Sequence, residues 1–567
     1  MALTISNSNT RPMDQNPGGN TETLAHKLSN FYHSHYKLIL ILVFMALILL
    51  AWSNRFFQDD AFISLRYADN LAHGKGLVWN NGERVEGYTN FLWTMILSIP
   101  LYLNLDPVKF SFVFGICLFV LSLYLTWRLA GILLHSKHLA LLVVLFLGTN
   151  HSFSSYATGG METQLQTCLF LASLFVFFDS TMKKEWPAAS LCLLSVLLSL
   201  ATLTRLDSAL LLVVILPLTL FQIWQRKDNG AQKSLLIVYL AAPLVVLVGA
   251  WLVWKMRFYG SLLPNTFYVK VASMNSLKRG VIYVGLFLYS YWMIPFPFLF
   301  LVFGKRLLLE SNRVRLLLSI FVILWLIYVV AIGGDFMEFR FIVPVLPLIF
   351  IQIVGLIFLD VRGSKLQVVL ALLVLAGSLH HALTFTNPPL RRYDIESTKG
   401  LSDLLTQDRT DWIGIGKVLG DSFDHDANVT IATTAAGAIP YYSRLKTIDI
   451  LGLNDQWVAR HGEIVASKPG HQRRATINYL IERKVNLLIG HPQMVPIDSA
   501  APPAWGDYYF YVRITRQDPL PANSKIIEIP INSRYKLRVL YLVENPLVED
   551  AIRRKVWVTY PFDRGHE

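Results

Sequence analysis

Long apolar runs alternate with short polar loops from residue 37 to about residue 384, and then the pattern changes. A hydrocarbon core of about 30 Å takes roughly 20 apolar residues in helical form. Runs of that order fall at 37–53, 108–134, 139–156, 163–179, 187–204, 209–225, 235–257, 283–303, 315–332, 341–359 and 366–384. They predict a polytopic membrane protein with about 11 transmembrane helices. The stretch 91–105, FLWTMILSIPLYLNL, is shorter, carries Pro100 and ends in NLDP, which predicts an interfacial or re-entrant helix. Beyond residue 387 the apolar stretches are short and β-rich (NVTIATT, VNLLIG, KIIEIPI, YKLRVLYLV) and alternate with helical segments around 410–424 and 471–484. That is the pattern of a soluble α/β domain. The expected organisation is a polar, disordered cytoplasmic tail at 1–36, a membrane domain at 37–386 with a large first outward loop at 54–107, and an extracytoplasmic α/β domain at 387–567. TNPPLRRYD, with its paired prolines, reads as the linker into that last domain.

Charge orients the chain in the bilayer. With the N-terminus inside, the cytoplasmic loops contain Arg128 and Lys137, then MKKEW, QRKDNGAQKS, GKRLLLESNRVR and DVRGSK, the basic bias expected on that side. Counting 91–105 as a full span would reverse this alternation for everything downstream. The formal net charge of +13 is therefore partly a topology signal and does not mark a nucleic-acid surface. A 54% hydrophobic content and 16% charged residues fit the same class. The three cysteines, Cys117, Cys168 and Cys192, all fall in apolar runs, which excludes a disulfide framework or a thiolate metal site in the outward parts. The run at 37–53 lacks a small-residue cleavage site and reads as an uncleaved anchor.

The chemistry gathers on the outward side. Its loops carry QDDAFISLRYADN and GERVEGYTN, SYATGGMETQ, TRLDS, FYGSLLPNTFYVK and GGDFMEFR. Charged side chains at the ends of apolar helices are costly unless they pair or line a polar cavity. The candidates are the carboxylates Asp59, Asp60, Glu86, Glu162, Asp207 and Asp335, the cations Arg66, Arg205, Lys270 and Arg340, and the polar residues Tyr88, Asn90 and Asn265. Carboxylates at a membrane surface can take a proton from a hydroxyl, and cations can hold a departing phosphate. The oxygen-rich set is also compatible with a divalent cation such as Mg, Mn or Ca. Each motif alone has a plainer reading: an Asp ahead of a helix serves as an N-cap, and Gly and Pro shape turns. In the α/β domain, TIDILGLNDQWVARHG reads as a strand ending at Asp449 or Gly452, with Asn454, Asp455 and His461 beyond it, either facing a cleft or as ordinary caps. TTAAGAIPYY lacks a phosphate-loop signature, and His471 and His491 have no metal-ligand spacing.

DDAFISLRYADNLAHGKGLVWNNGERVEGYTNFLW, ATGGMET, TRLDS, YGSLLPNTFYVK, GGDFMEFRFIVPVLP and TIDILGLND, in this order over residues 55–460, resemble the successive motifs of the integral-membrane GT-C glycosyltransferases. Within that superfamily the chain is most similar to the terminal arabinofuranosyltransferases of actinobacterial cell walls and homologues carrying a flagellar-motor-control label. The resemblance implies a polyprenyl-phosphate-linked sugar donor, an extracytoplasmic glycan or lipid acceptor, an acidic base in the first outward loop at Asp59 or Asp60, and a bacterial inner-membrane location. Donor contacts then fall to Arg66, Arg205, Lys270, Arg340 and Asn265, and sugar or acceptor contacts to Glu86, Tyr88, Asn90, Glu162, Asp207, Asp335, Asn454, Asp455 and His461. TRLDS stands where TRPDG is common, and no Gly precedes the Arg of GGDFMEFR, which leaves the sugar open. A glycolipid transporter or flippase would show mid-span charges and repeated halves; a non-catalytic regulatory protein could share the scaffold.

Overall fold

The computed structural model describes residues 24–269, 274–303, 313–384, 392–425, 428–465, 470–500, 510–515 and 517–562. Its chain divides into two units, Met1–Ala46 and Leu47–Glu567. Helix Leu24–Ser53 begins in the first, and the second contains all the later elements. Positions 24–36, expected in a disordered tail, are thus helical, while 1–23 lie outside the described residues.

Among the described residues, eight helices are long and apolar enough to cross a membrane. A ninth crossing would be the pair Ser276–Ser290 and Pro295–Phe303, bent by 94°. The expected span 283–303 is therefore broken. Pro295 and Pro297 start the second piece, where a proline is tolerated and an uninterrupted helix is not. Two more of the eleven expected runs form the shorter apolar helices Lys137–Thr149 and Ala188–Thr204, which fall short of the length that marks the other spans. The first of these stops at Asn150, whose side chain accepts from the Phe153 N–H and starts a separate short helix, His151–Ser155. Helix Phe91–Tyr102 is roughly 18 Å long at 1.5 Å per residue, too short to span.

The C-terminal α/β part is built on a seven-stranded mixed sheet of β1 (Thr430–Thr433), β2 (Lys446–Asp449), β5 (Leu487–Gly490), β6 (Met494–Pro496), β7 (Lys525–Pro530), β8 (Tyr535–Tyr541) and β9 (Val558–Pro561). The order is β2-β1-β5-β8-β7-β9, with β6 also on β8. β1 runs parallel to β2 and β5, and the other pairs are antiparallel. Ile448, Leu488, Ile526 and Leu540 fill its core. A two-stranded ribbon pairs β3 (Glu463–Ile464) with β4 (Arg473–Arg474), so the helix expected over 471–484 is cut down to Ile477–Glu482. β2 ends at Asp449, and Asp455 caps helix Gln456–His461 through the Val458 N–H.

Candidate functional site

Helix Asp59–Ala72 organises the site because it presents two polar faces. Neighbouring residues on a helix point about 100° apart, whereas positions four or seven apart share a side. Asp59, Phe62 and Arg66 form one face, and Asp60 and Ser64 form the other.

The first face is held by the α/β domain. The Asp59 carboxylate accepts the backbone N–H groups of Gly437 (3.0 Å) and Ala438 (2.7 Å). A Cβ at residue 437 would sit 1.8 Å from the Asp59 carbonyl oxygen, so only glycine allows the approach. Burial pushes the Asp59 carboxyl up to about 7 against the pull of these two donors, with the Asp60 charge adding to the rise. Phe62 lies between Tyr441 and Tyr442, 5.3 Å from each ring. Arg66 donates to the carbonyls of Trp79 (2.7 Å), Leu445 (2.8 Å) and Pro440 and to Asn80 Oδ1 (3.1 Å), and its guanidinium stacks 4.8 Å over the Trp79 ring. Nearby, Asn265 Nδ2 donates to the carbonyls of Gly452, Leu453 and Asp455, and Tyr67 Oη donates to Asn454 Oδ1. Arg66 and Tyr67 of the first outward loop, and Asn265 of the loop after Tyr259, therefore meet the α/β domain, where Asn454 and Asp455 are among their partners. Sequence reasoning had grouped Arg66, Asn265, Asn454 and Asp455 with the ligand contacts. His461 lies at the exposed end of its helix, its ring 5.6 Å from that of Trp457 and tilted by 38°. Arg66→Lys keeps the charge but loses the fork, and is expected to weaken this docking by about 1–3 kcal/mol. Faster amide exchange over residues 438–445 would report it.

The second face leads into the membrane domain. Ser64 Oγ donates to Asn90 Oδ1 (3.1 Å), and Asn90 Nδ2 donates to Glu162 Oε2 (2.7 Å). Glu162 Oε1 accepts from Arg205 Nη1 (2.7 Å), and Arg205 grips Asp207 through Nε and Nη2. Gln166 and Tyr328 also donate to Asp207. Burial raises the Glu162 carboxyl, but Arg205 and Arg340 outweigh it and hold the group below the usual range. Arg205 and Arg340 flank the Phe341 ring at 5.0 Å each. Arg340 pairs with Asp335 through Nε (2.7 Å), and its terminal nitrogens bond to no side chain or carbonyl among the described residues. In ATGGMET, a Cβ on Gly160 would come 2.4 Å from Phe57 and 2.7 Å from Ala61, so the glycine lets this loop pack against the start of the Asp59 helix.

A third group links Glu86 to Lys255 (2.8 Å), with the ammonium 5.0 Å over Trp251. Burial pushes the Glu86 carboxyl up to about 7 despite Lys255. Tyr88 is buried beside it, its hydroxyl 3.2 Å from that of Tyr259. Lys270 lies outside the described residues. Sequence reasoning missed Lys255, Gln166, Tyr328 and the fully buried Glu338–His381 pair (2.7 Å). A lone cation inside an apolar run was the available signal for Lys255.

Glu162 and Asp207 share Arg205, and Asp335 pairs with Arg340; among the described residues no group of three or more His, Cys, Asp or Glu side chains could hold a metal ion.

Apolar helices, a polar first loop and an appended α/β domain together make up the chain. The chain has the fold of ArnT from Cupriavidus metallidurans, solved with undecaprenyl phosphate: TM-score 0.52 at 13% identity, covering 91% of this chain and 99% of that one. In sequence it is 28% identical over 260 residues to the terminal beta-(1->2)-arabinofuranosyltransferase of Mycobacterium tuberculosis, covering 43% of this chain and 40% of that protein. The enzyme of the same name from Corynebacterium glutamicum is 26% identical over 327 residues, covering 51% of this chain and 46% of the relative. The chain thus spans less than half the length of each. Residues 402–538 match a domain of unknown function, DUF8728.

Proposed function

We propose that this protein transfers a glycosyl unit, a pentofuranose being the favoured class, from a polyprenyl-phosphate donor to an extracytoplasmic glycan or lipid acceptor. The observation that carries this reading is the unbroken polar chain from Ser64, one turn beyond Asp60, through Asn90 and Glu162 to Arg205, beside Arg340. Ser64, one helical turn from Asp60, stands at one end of this buried network and the Arg205 guanidinium at the other, which supports the reading. The similarity to the arabinofuranosyltransferases supports the sugar class, and the lipid phosphate bound to ArnT supports the carrier.

In the proposed reaction Asp60 takes the acceptor hydroxyl proton as that oxygen attacks the anomeric carbon. The bond from that carbon to the phosphate oxygen breaks, and its electron pair stays on the phosphate, which Arg340 stabilises. Arg205, with all its nitrogens committed to Glu162 and Asp207, positions this centre. One displacement inverts the anomeric configuration. The basic loops support an orientation with the N-terminus in the cytoplasm and the α/β domain outside, and the similarity to the bacterial arabinofuranosyltransferases supports a bacterial inner membrane.

The test is transfer of labelled sugar by the purified protein from polyprenyl-phosphate pentofuranose, hexose and aminosugar donors. Transfer from one donor with inversion supports the reading, whereas neither binding nor transfer with any of them sinks it. Arg340→Lys keeps a charge without the fork, so kcat is expected to fall about ten- to a hundred-fold.

A further inference from the structure

Two residues before Arg340, the GGDFMEFR loop buries a carboxylate that the polar centre does not use. Glu338 and its partner His381, from helix Ser364–Thr384, are both 0% exposed. Glu338 Oε1 accepts from His381 Nε2 (2.7 Å) and from Ser152 Oγ (3.4 Å), and Oε2 accepts the backbone N–H of Thr398 (3.2 Å). Burial raises the Glu338 carboxyl, but His381 outweighs it and holds the group below the usual range. Apolar residues in place of a buried charge and its partner are often as stable. The pair is therefore better explained by what it fixes than by the stability it adds.

What it fixes is a strained stretch of backbone. Phe339, the one residue between Glu338 and Arg340, has a φ of 46°. A non-glycine residue in the left-handed region is costly and persists only where its surroundings over-determine it. Here they do. The buried Phe339 ring lies 5.4 Å from that of Phe287 and 5.7 Å from those of Tyr283 and His381. His381 thus touches two consecutive residues, the carboxylate of one and the ring of the next. Ahead of them, the Glu338 N–H donates to the Glu396 carbonyl (3.1 Å) and the Glu396 N–H to the Phe336 carbonyl (2.7 Å). Beyond Arg340, the Phe341 carbonyl accepts from Trp325 Nε1 (2.7 Å). The backbone is held on both sides of Arg340, and the left-handed residue just before it sets the direction in which its side chain departs. Helix Thr398–Thr406, whose first N–H Glu338 holds, also packs against helix Asp59–Ala72. One carboxylate is thereby tied to the loop of Arg340 and to an element that supports Asp60.

We infer that Glu338 and His381 are positioning residues for glycosyl transfer, which rests on the reading of Arg340 as the cation that receives the departing phosphate. They hold the backbone before Arg340 so that its terminal nitrogens meet that phosphate, and they act through Arg340. A double-mutant cycle on turnover tests this, with purified protein and the polyprenyl-phosphate sugar that wild type uses. Glu338→Gln is expected to lower kcat about ten-fold, the worth of one hydrogen bond to a charged group. Placed on top of Arg340→Lys, the same substitution is expected to cost less than about two-fold, because residues that act through one another are not additive. An equally large fall in both backgrounds assigns Glu338 to the general fold and overturns the inference, as does wild-type kcat in Glu338→Gln. His381 supplies an independent comparison, which stands even if Glu338→Gln does not fold. His381→Gln keeps an N–H donor for Glu338 and is expected to retain kcat within about three-fold, whereas His381→Leu removes the donor and should fall about ten-fold. Equal kcat in these two variants overturns the inference. Wild type that transfers sugar while the cycle is additive removes the inference alone; wild type that neither binds nor transfers any polyprenyl-phosphate sugar removes the donor reading and the inference with it.

Discussion

Asp60→Asn is expected to reduce transfer about 10²- to 10⁴-fold, the usual worth of a positioned general base, with donor affinity retained. Asp59→Asn is expected to remain active. The two carboxylates are adjacent in the chain but lie on different faces of the helix. Both Asp59 oxygens accept backbone N–H groups of the α/β domain, and burial already favours the neutral form at that position. An Asn there keeps one acceptor oxygen and gives up one hydrogen bond, a cost of about 1–3 kcal/mol in docking. Initial rates and donor affinity measured on both variants decide it: loss of turnover in Asp59→Asn with Asp60→Asn active would reverse the assignment.

Arg205→Met is expected to cost roughly 3–5 kcal/mol of stability, the range seen when one partner leaves a buried ion pair. Glu162 and Asp207 would then face each other without their shared cation, both almost wholly buried. Thermal unfolding in detergent reads the effect. A melting midpoint within a degree of wild type would mean that water or another cation can satisfy these carboxylates, and the network would lose its role as a rigid frame. The same variant should show that the frame serves chemistry, because Asn90 and Ser64 hang from Glu162 on the side of Asp60.

Much of the site's membership was legible. Glu162, Arg205, Asp207, Asp335, Arg340 and Asn90 were all recognised as costly polar residues at the outer ends of apolar helices, and they do converge. Their roles were not legible. Arg66 and Asn265 look the same in a sequence whether they bind a ligand or backbone carbonyls, and here they bind carbonyls of the α/β domain. Lys255 hides in WLVWKMRFYG, where the surrounding apolar residues dominate any window average. Strands β6 and β9 escaped notice because each ends in a proline, which counts against a strand reading.

The lengths and order of the apolar runs, by themselves, determined that this chain crosses the membrane many times and that an α/β domain follows. Those features depend on free energies summed within one segment, which local sequence contains. Only the tertiary structure decided that Asp59 is held by backbone N–H groups of the α/β domain, that Arg205 is committed to Glu162 and Asp207, and where the chain near 290 bends. The partner of Asp59 lies 378 residues away at Gly437, and a contact of that separation is set by the packing of whole elements rather than by any local pattern.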